Sequence, residues 1–335
     1  YSCFAQVFDA CVFGAGYAGF AAAQRLADGG KRTLLVDLGG DVLWESGRAF
    51  RTATGSWTPE FRAFAERVAN ASGIADEWLD GAIAELTAND LLRRDGLQVL
   101  YYATPVAVEF DEGFLGGVTV AVKSGLRRIL SRQWVDATET GTLARLLQPA
   151  LQAKRPERIE LAVHFQRVRW DDTQRVEYAI SGQPGCRATW SPSRWSNERI
   201  LSISAPGATE HWMGLLLPAV RGVREQFGEE IGDGFVSHCS FRPYPVYGAG
   251  AGGTGMPQNV ALASPALAWA EVETLSERYA LGVAAAEALS SRPGATGAES
   301  LSRAAIRLPE GVAEMSAEVG VAGLGAGGAL AAVAA

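Results

Sequence analysis

The chain has 335 residues, 48% of them hydrophobic and 20% charged, and carries a net charge of −7. That length buries a large core and suits two lobes. The acidic balance and the lack of any Lys/Arg run argue against a nucleic-acid partner, and no apolar run reaches about 18 residues, which argues against a membrane span.

In chain order, residues 8–13 read as a short apolar strand running straight into Gly14-x-Gly16-x-x-Gly19. An Ala-rich helix follows and ends at Gly29-Gly30, and a second apolar strand (33–36) delivers Asp37. This order is the dinucleotide-binding βαβ fingerprint. Gly14 permits the tight turn, Gly16 leaves room for a pyrophosphate, and Gly19 lets helix and strand pack closely. The helix N-terminus offers free N–H groups to phosphates. Asp37, 23 residues after Gly14, can accept hydrogen bonds from ribose hydroxyls and would repel a 2′-phosphate, which leaves FAD or NAD.

A polar, Gly-punctuated loop over 39–55 carries Gly47-Arg48. Pro59 starts a helix with Phe61, Phe64, Ala65 and Val68 on one face. Another helix is predicted over 76–94, with Trp78, Leu79, Ile83 and Leu86 as its apolar stripe. The period then shortens. A strand at 97–102 precedes three alternating strands at 106–110, 118–122 and 128–130, a β-meander. Residues 134–138 (Trp-Val-Asp-Ala-Thr) read as a further buried strand, and 143–151 as a helix.

Residues 155–240 are dominated by polar strands, such as 159–168 and 199–204, with one helix near 218–227. Six of the nine tryptophans lie at or after Trp134, which invites an aromatic or sugar-like ligand, although irregular spacing favours core packing. A Gly-rich loop (248–255), a strand (259–263) and a bend at Ser264-Pro265 lead to a last helix. Thr274-x-x-Glu277 is a capping-box pattern at that helix's start. The fold class expected is α/β: a Rossmann-like parallel sheet with a β-meander, plus a smaller, mainly antiparallel β lobe. The division expected is a nucleotide-binding part at 7–150, a substrate or cap lobe at 151–240, a return to the first part at 241–290 and a tail at 291–335.

The βαβ unit, the meander ending in Val135-Asp136-Ala137-Thr138, and the late 259–265 segment running into Arg278-Tyr279-Ala280-Leu281-Gly282 together resemble the FAD-dependent oxidoreductases, of the glutathione-reductase-like flavoprotein type. The resemblance covers about residues 7–150 and 240–290. It implies FAD as the cofactor. It implies that Gly14, Ala15, Gly16, Ala18 and Gly19 hold the pyrophosphate and Asp37 the adenosine ribose. Val106 would meet the adenine through its backbone, and Ala137 and Thr138 would pass under the dinucleotide. Ser264, Pro265 and the last helix's N-terminus would approach the flavin, and Gly47 and Arg48 would lie near the flavin or phosphates. The family usually has glycine directly after Asp-Ala-Thr; here that position is Glu139, and the glycine is Gly141.

On the substrate side the candidate acid–base groups are His238, Arg242 and His211, with Tyr244 and Arg48 beside them. A histidine there would polarise the substrate or take a proton near the flavin, and Arg242 would bind a carboxylate. The alternative for each histidine is a hydrogen-bonded strand residue, the reading also preferred for His164. The four cysteines (Cys3, Cys11, Cys186, Cys239) are scattered, and no His/Cys/carboxylate spacing marks a metal. The function implied is an FAD-dependent oxidoreductase acting on a small organic or partner-bound substrate. A monooxygenase-type flavoenzyme, an accessory flavoprotein subunit and an NAD-dependent dehydrogenase are the alternatives. A cytoplasmic location is expected, with a processed leader left open by the Tyr1 start, and a homo-oligomer or a partner protein stays open too.

Overall fold

The computed structural model describes residues 6–52, 54–73, 78–168, 175–207, 212–250 and 252–296. Its first sheet is built around β1 (Val7–Phe13), which pairs in parallel with β2 (Thr33–Val36) on one side. The 12-residue helix α1 (Tyr17–Asp28) connects them, as the glycine spacing predicts. Next come the short helix α2 (Trp44–Gly47), then α3 (Pro59–Ser72) and α4 (Gly81–Leu92). Thr58 caps α3 through its side chain, and Asp80 caps α4. The strands β3 (Leu97–Leu100), β4 (Thr104–Asp111), β5 (Phe114–Val122) and β6 (Gly125–Asp136) complete this part of the sheet, in the order β3-β2-β1-β6-β5-β4.

Two expectations change here. The segment 134–138 is not a separate strand. Its first three residues end the 12-residue β6, whose first half pairs antiparallel with β5 and whose second half pairs parallel with β1. Helix α4 is shorter than 76–94, and Trp78 and Leu79 precede it. It buries Ala84, Ala88 and Leu92, while Leu86 is 65% exposed. Small residues let α4 sit close, so its buried face is not the bulky stripe.

Helix α5 (Thr142–Leu147) leads to the second sheet. Its strands are β7 (Arg158–Gln166), β8 (Val176–Ala179), β9 (Arg187–Pro192), β10 (Glu198–Pro206), β11 (Phe235–Cys239) and β12 (Tyr244–Val246). All its pairings are antiparallel; the order is β11-β7-β10-β9-β8, with β12 also beside β7. Helix α6 (Met213–Ile231) starts earlier than 218–227 and takes Pro218 inside. It covers one face of the sheet over Phe165, Trp190 and Leu201. The chain then returns through β13 (Val260–Leu262), which lies parallel to the end of β6, and a 3-10 turn (Pro265–Leu267). Helix α7 (Leu275–Ser290) carries the predicted capping box.

The first core lies between the parallel sheet and helices α1, α3, α4 and α7, with Phe20, Phe61, Phe64 and Tyr279 in edge and stacked contacts. Gly282 makes the α1–α7 approach possible, because a Cβ there would stand 1.9 Å from Ala18 O. The opposite face packs Phe8, Phe13, Leu115, Trp134 and Leu143. β1 and β2 are thus covered on both sides, which explains their continuous apolar runs. Among the described residues, no helix is long and apolar enough to cross a membrane.

Candidate cofactor and substrate site

The glycine loop joins the C-terminal end of β1 to α1. Gly14 adopts φ +95°, and a Cβ there would meet Ala137 O at 2.5 Å. Ala137 N–H in turn donates to Phe13 O (2.8 Å). A Cβ on Gly19 would stand 1.6 Å from Gly14 O, so helix and loop touch only because residue 19 is glycine. Ala15 and Ala18 are buried in the same turn. Asp37 reaches back across it: Oδ1 accepts from Ala15 N–H (2.7 Å) and Oδ2 from Gly39 N–H (2.6 Å). Burial pushes its carboxyl up, against the pull of those two N–H groups. Val106 enters β4 three residues after Ala103, whose N–H donates to Asp37 O (2.9 Å). It falls in a register shift between Pro105 and Ala107, without a ladder partner of its own on β5.

Thr138 closes the loop from below. Asp136 Oδ1 accepts from Thr138 N–H (3.0 Å) and Oγ1 (2.6 Å), and Thr138 Oγ1 accepts from Thr142 N–H (2.7 Å). Ser264 Oγ donates to Glu139 O (3.1 Å), and Pro265 opens the 3-10 turn. The α7 N-terminus serves itself: Thr274 N–H donates to Glu277 Oε2 (2.8 Å) and Glu277 N–H to Thr274 Oγ1 (3.2 Å). It offers fewer free donors to a ligand than expected.

The centre of the cradle is filled by side chains that sequence reading did not single out together. Leu43 and Phe50 both have φ +54°, in the left-handed region, and the chain between them turns Trp44, Glu45 and Ser46 inward. Glu45 is 1% exposed. Its Oε1 and Oε2 accept from Tyr17 N–H, the first amide of α1, at 3.1 and 3.3 Å. A Cβ on Gly16 would meet Glu45 Oε1 at 2.5 Å and Trp44 Nε1 at 2.9 Å.

From the far side comes Arg278, 0% exposed, on α7. It forms a bidentate pair with Glu139 (2.7 and 2.9 Å) and reaches Glu45 Oε1 at 3.5 Å. It also donates to Tyr244 Oη (3.0 Å) and Pro245 O (2.8 Å), so the whole guanidinium is used. Burial drives the Glu45 carboxyl up to about 7 although Arg278 pulls it down, and Glu139 adds to the rise. Glu139, standing where the family has glycine, is thus the bidentate partner of a buried arginine.

Of the expected catalytic residues, the structure separates His238 from Arg242. Arg242 lies over the Trp44 ring, 3.5 Å from its centroid. His238, on β11, lines a cavity of about 260 Å³ between the 46–52 segment and the open face of the second sheet. His211 lies outside the described residues. Gly47 lines that same cavity, whereas Arg48 pairs with Asp41 (2.6 Å). His164, read from sequence as a strand residue, faces His238 in an edge contact with ring centroids 6.4 Å apart. Its Nδ1 lies 3.4 Å from Glu198 Oε1, and its Nε2 is buried without a hydrogen-bond partner among the described residues. Burial pushes the Glu198 carboxyl up, but hydrogen bonds from His164 and Ser193 and the nearby His238 hold it below the usual carboxylate range. Phe50 stands between this cavity and a neighbouring one of about 370 Å³ that Arg51, Glu160 and Tyr244 line.

A Rossmann-like sheet with a glycine cradle, a meander and a second antiparallel sheet defines an FAD-binding flavoprotein. A family model, FAD dependent oxidoreductase, matches residues 9–213, and the chain belongs to that family. No curated protein sequence matches it. Its fold is similar to a geranylgeranyl bacteriochlorophyll reductase-like protein from Thermoplasma acidophilum (TM-score 0.59, 14% identity, covering 84% of this chain and 77% of that one). It is also similar to the myxobacterial chondrochloren halogenase CndH (0.57, 14%, 84% and 73%) and to CabE, an aromatic hydroxylase from angucycline biosynthesis (0.56, 15%, 85% and 63%). These matches give the flavoprotein class without singling out the glutathione-reductase-like type.

FAD is the cofactor of this family. The chain fits its adenosine half: the glycine turn leaves no Cβ in the way, Asp37 stands at the end of β2, and Val106 is outside its ladder. At the pyrophosphate position a buried carboxylate already holds the α1 amide.

Proposed function

We propose that this chain is an FAD-dependent oxidoreductase of small organic substrates, with FAD along Gly14–Gly19, Asp37, Val106, Ala137 and Thr138. The substrate would sit in the cavity between the 46–52 segment and the second sheet. Bound FAD supplies the redox chemistry. The protein's part is placement, exclusion of water and proton handling. The observation that carries the reading is the glycine cradle, closed by Ala137 and joined to that cavity through Tyr17 Oη, 2.7 Å from the Oγ of the cavity-lining Ser46.

His164 is the proposed proton carrier. Its Nδ1 side leans on Glu198, which fixes the ring, and among the described residues its Nε2 has no hydrogen-bond partner to give up. His238 is the second candidate, across the same cavity. Phe50, Trp78 and Trp195 give the cavity an aromatic wall, which suits a planar or apolar substrate. That wall also favours the second reading, a monooxygenase-type reaction on an aromatic substrate. Arg242, held on Trp44, is better placed to act on the cofactor side than on the substrate.

The test is an absorption spectrum of the purified protein before and after incubation with FAD, followed by anaerobic reduction with NAD(P)H and readmission of oxygen. Flavin bands that bleach and return support an oxidoreductase, and reoxidation with oxygen uptake faster than free flavin shows favours the monooxygenase branch. Protein that retains no flavin in any condition removes both.

A further inference from the structure

The cofactor cradle carries its own anion. Helix α1 has Gly16 at its N-cap and no side-chain cap there, so the first amide, Tyr17 N–H, is free for a ligand. Glu45 takes it, with both carboxylate oxygens in reach. The Arg278–Glu139 pair is close and bidentate and cancels its own charge. Glu45 stands farther from Arg278, and when ionised it leaves the cluster with one surplus negative charge on a helix N-terminus. That is the charge sign and the donor that a pyrophosphate would use.

We propose that Glu45 is a proton-coupled gate on the FAD pyrophosphate position: ionised, it occupies the α1 amide and opposes the cofactor, and protonated, it lets the pyrophosphate in. This rests on the FAD reading above. One observation and one electrostatic argument support proton uptake over a swing into solvent. Glu45 is enclosed, with Trp44 beside it, Tyr17 above and Arg278 opposite. A second anion brought to the same amide raises the cost of a buried carboxylate charge further. A protonated carboxyl has lost that charge and gained an O–H, which can donate to a phosphate oxygen.

The ionisable groups that face Glu45 are Tyr17 on α1, Glu139 after β6, Tyr244 on β12 and Arg278 on α7. Tyr17 and Tyr244 are held neutral by burial, since each phenol is raised. Arg278 stays charged. Burial holds the Glu45 carboxyl up to about 7, so its charge changes near neutrality.

The test is equilibrium titration of the cofactor-free full chain with FAD, followed by flavin fluorescence, at pH 6 and pH 8, for the wild type, Glu45→Gln and Gly16→Val. Uptake of one proton predicts that the wild-type dissociation constant for FAD rises roughly tenfold from pH 6 to pH 8. Glu45→Gln should bind FAD with little pH dependence, matching the wild type at pH 6 and exceeding it roughly tenfold at pH 8. A wild-type affinity that does not change between the two pH values overturns the gate, as does a Glu45→Gln protein that keeps the wild-type slope. The wild-type pH series stands alone if the variant does not fold. If FAD binds neither the wild type nor Glu45→Gln at either pH, the cofactor reading itself has failed. Binding that survives Gly16→Val unchanged places FAD elsewhere and overturns the gate while leaving the flavin content intact.

Discussion

Replacing Arg278 by leucine should be the most damaging single change in the cradle that leaves the backbone untouched. The guanidinium is fully buried and spreads its donors over Glu139, Glu45, Tyr244 and Pro245 O. Leucine fills part of the volume but leaves two carboxyl groups, Glu45 buried and Glu139 largely so, without their cation. Breaking a buried pair from one side costs about 3–5 kcal/mol, because the remaining charge is uncompensated. That is a large share of the roughly 5–15 kcal/mol by which a folded domain is stable.

The deficit should depend on pH. Glu45 already stands at about 7 with Arg278 beside it, and loss of the cation moves it higher. At pH 5 protonation of Glu45 relieves the site, and the cost grows as pH rises past about 7. Urea unfolding followed by tryptophan fluorescence, at pH 5 and 8, measures both. A triple variant, Arg278→Leu with Glu139→Gln and Glu45→Gln, should recover most of the loss, since the charges leave together. A deficit under about 1 kcal/mol at pH 8, against the expected 3–5, would refute the idea that this cluster is an electrostatic unit. So would a deficit equal at both pH values.

Glu45→Gln should change the pH dependence of stability even without ligand. The folded protein holds the Glu45 proton above the ordinary value of 4.5, so its contribution is fully present below 4.5 and is lost as pH rises toward about 7. The difference between variant and wild type should therefore shift by about 3 kcal/mol in the variant's favour across that window, read from urea midpoints. Glu198→Gln should act at the other end. The Glu198 carboxyl is held low, so its contribution is present above 4.5 and is lost as pH falls through its folded value; the variant should lack that acid limb. Gly282→Val should force α7 off α1, since even a Cβ would lie 1.9 Å from Ala18 O. A loss of at least about 1–3 kcal/mol is expected in thermal unfolding, and an unchanged midpoint would contradict that packing. His164→Gln should lower kcat on the enzyme's substrate while FAD binding stays unchanged.

The sequence makes β1-α1-β2 legible because each part is local: an apolar run, three spaced glycines and an acid at the next strand's end. The meander and the capping box of α7 are readable for the same reason. The contents of the cradle are not. Glu45 and Arg278 meet across a sequence separation of 233, and no period or spacing links them. Arg278 gave one sign, the one cation on an alanine-rich helix stretch (275–290), and Glu139 gave the other by replacing a glycine. Read together, an added acid and a buried base would have pointed to a pair. His164 was hidden by its strand context, since alternation shows only which face a residue is on, and not that β10 and β11 bring Glu198 and His238 beside it.

FAD on the Gly14–Gly19 loop, with Glu45 yielding the α1 amide to it, is the proposal on which the rest depends. A crystal structure of the protein grown with FAD at pH 6 tests this most directly. The expected result is a pyrophosphate oxygen within hydrogen-bond distance of Tyr17 N–H, the adenosine ribose at Asp37, and Glu45 no longer hydrogen-bonded to that amide. FAD bound with Glu45 still on Tyr17 N–H, or no flavin density over Gly16, would contradict it.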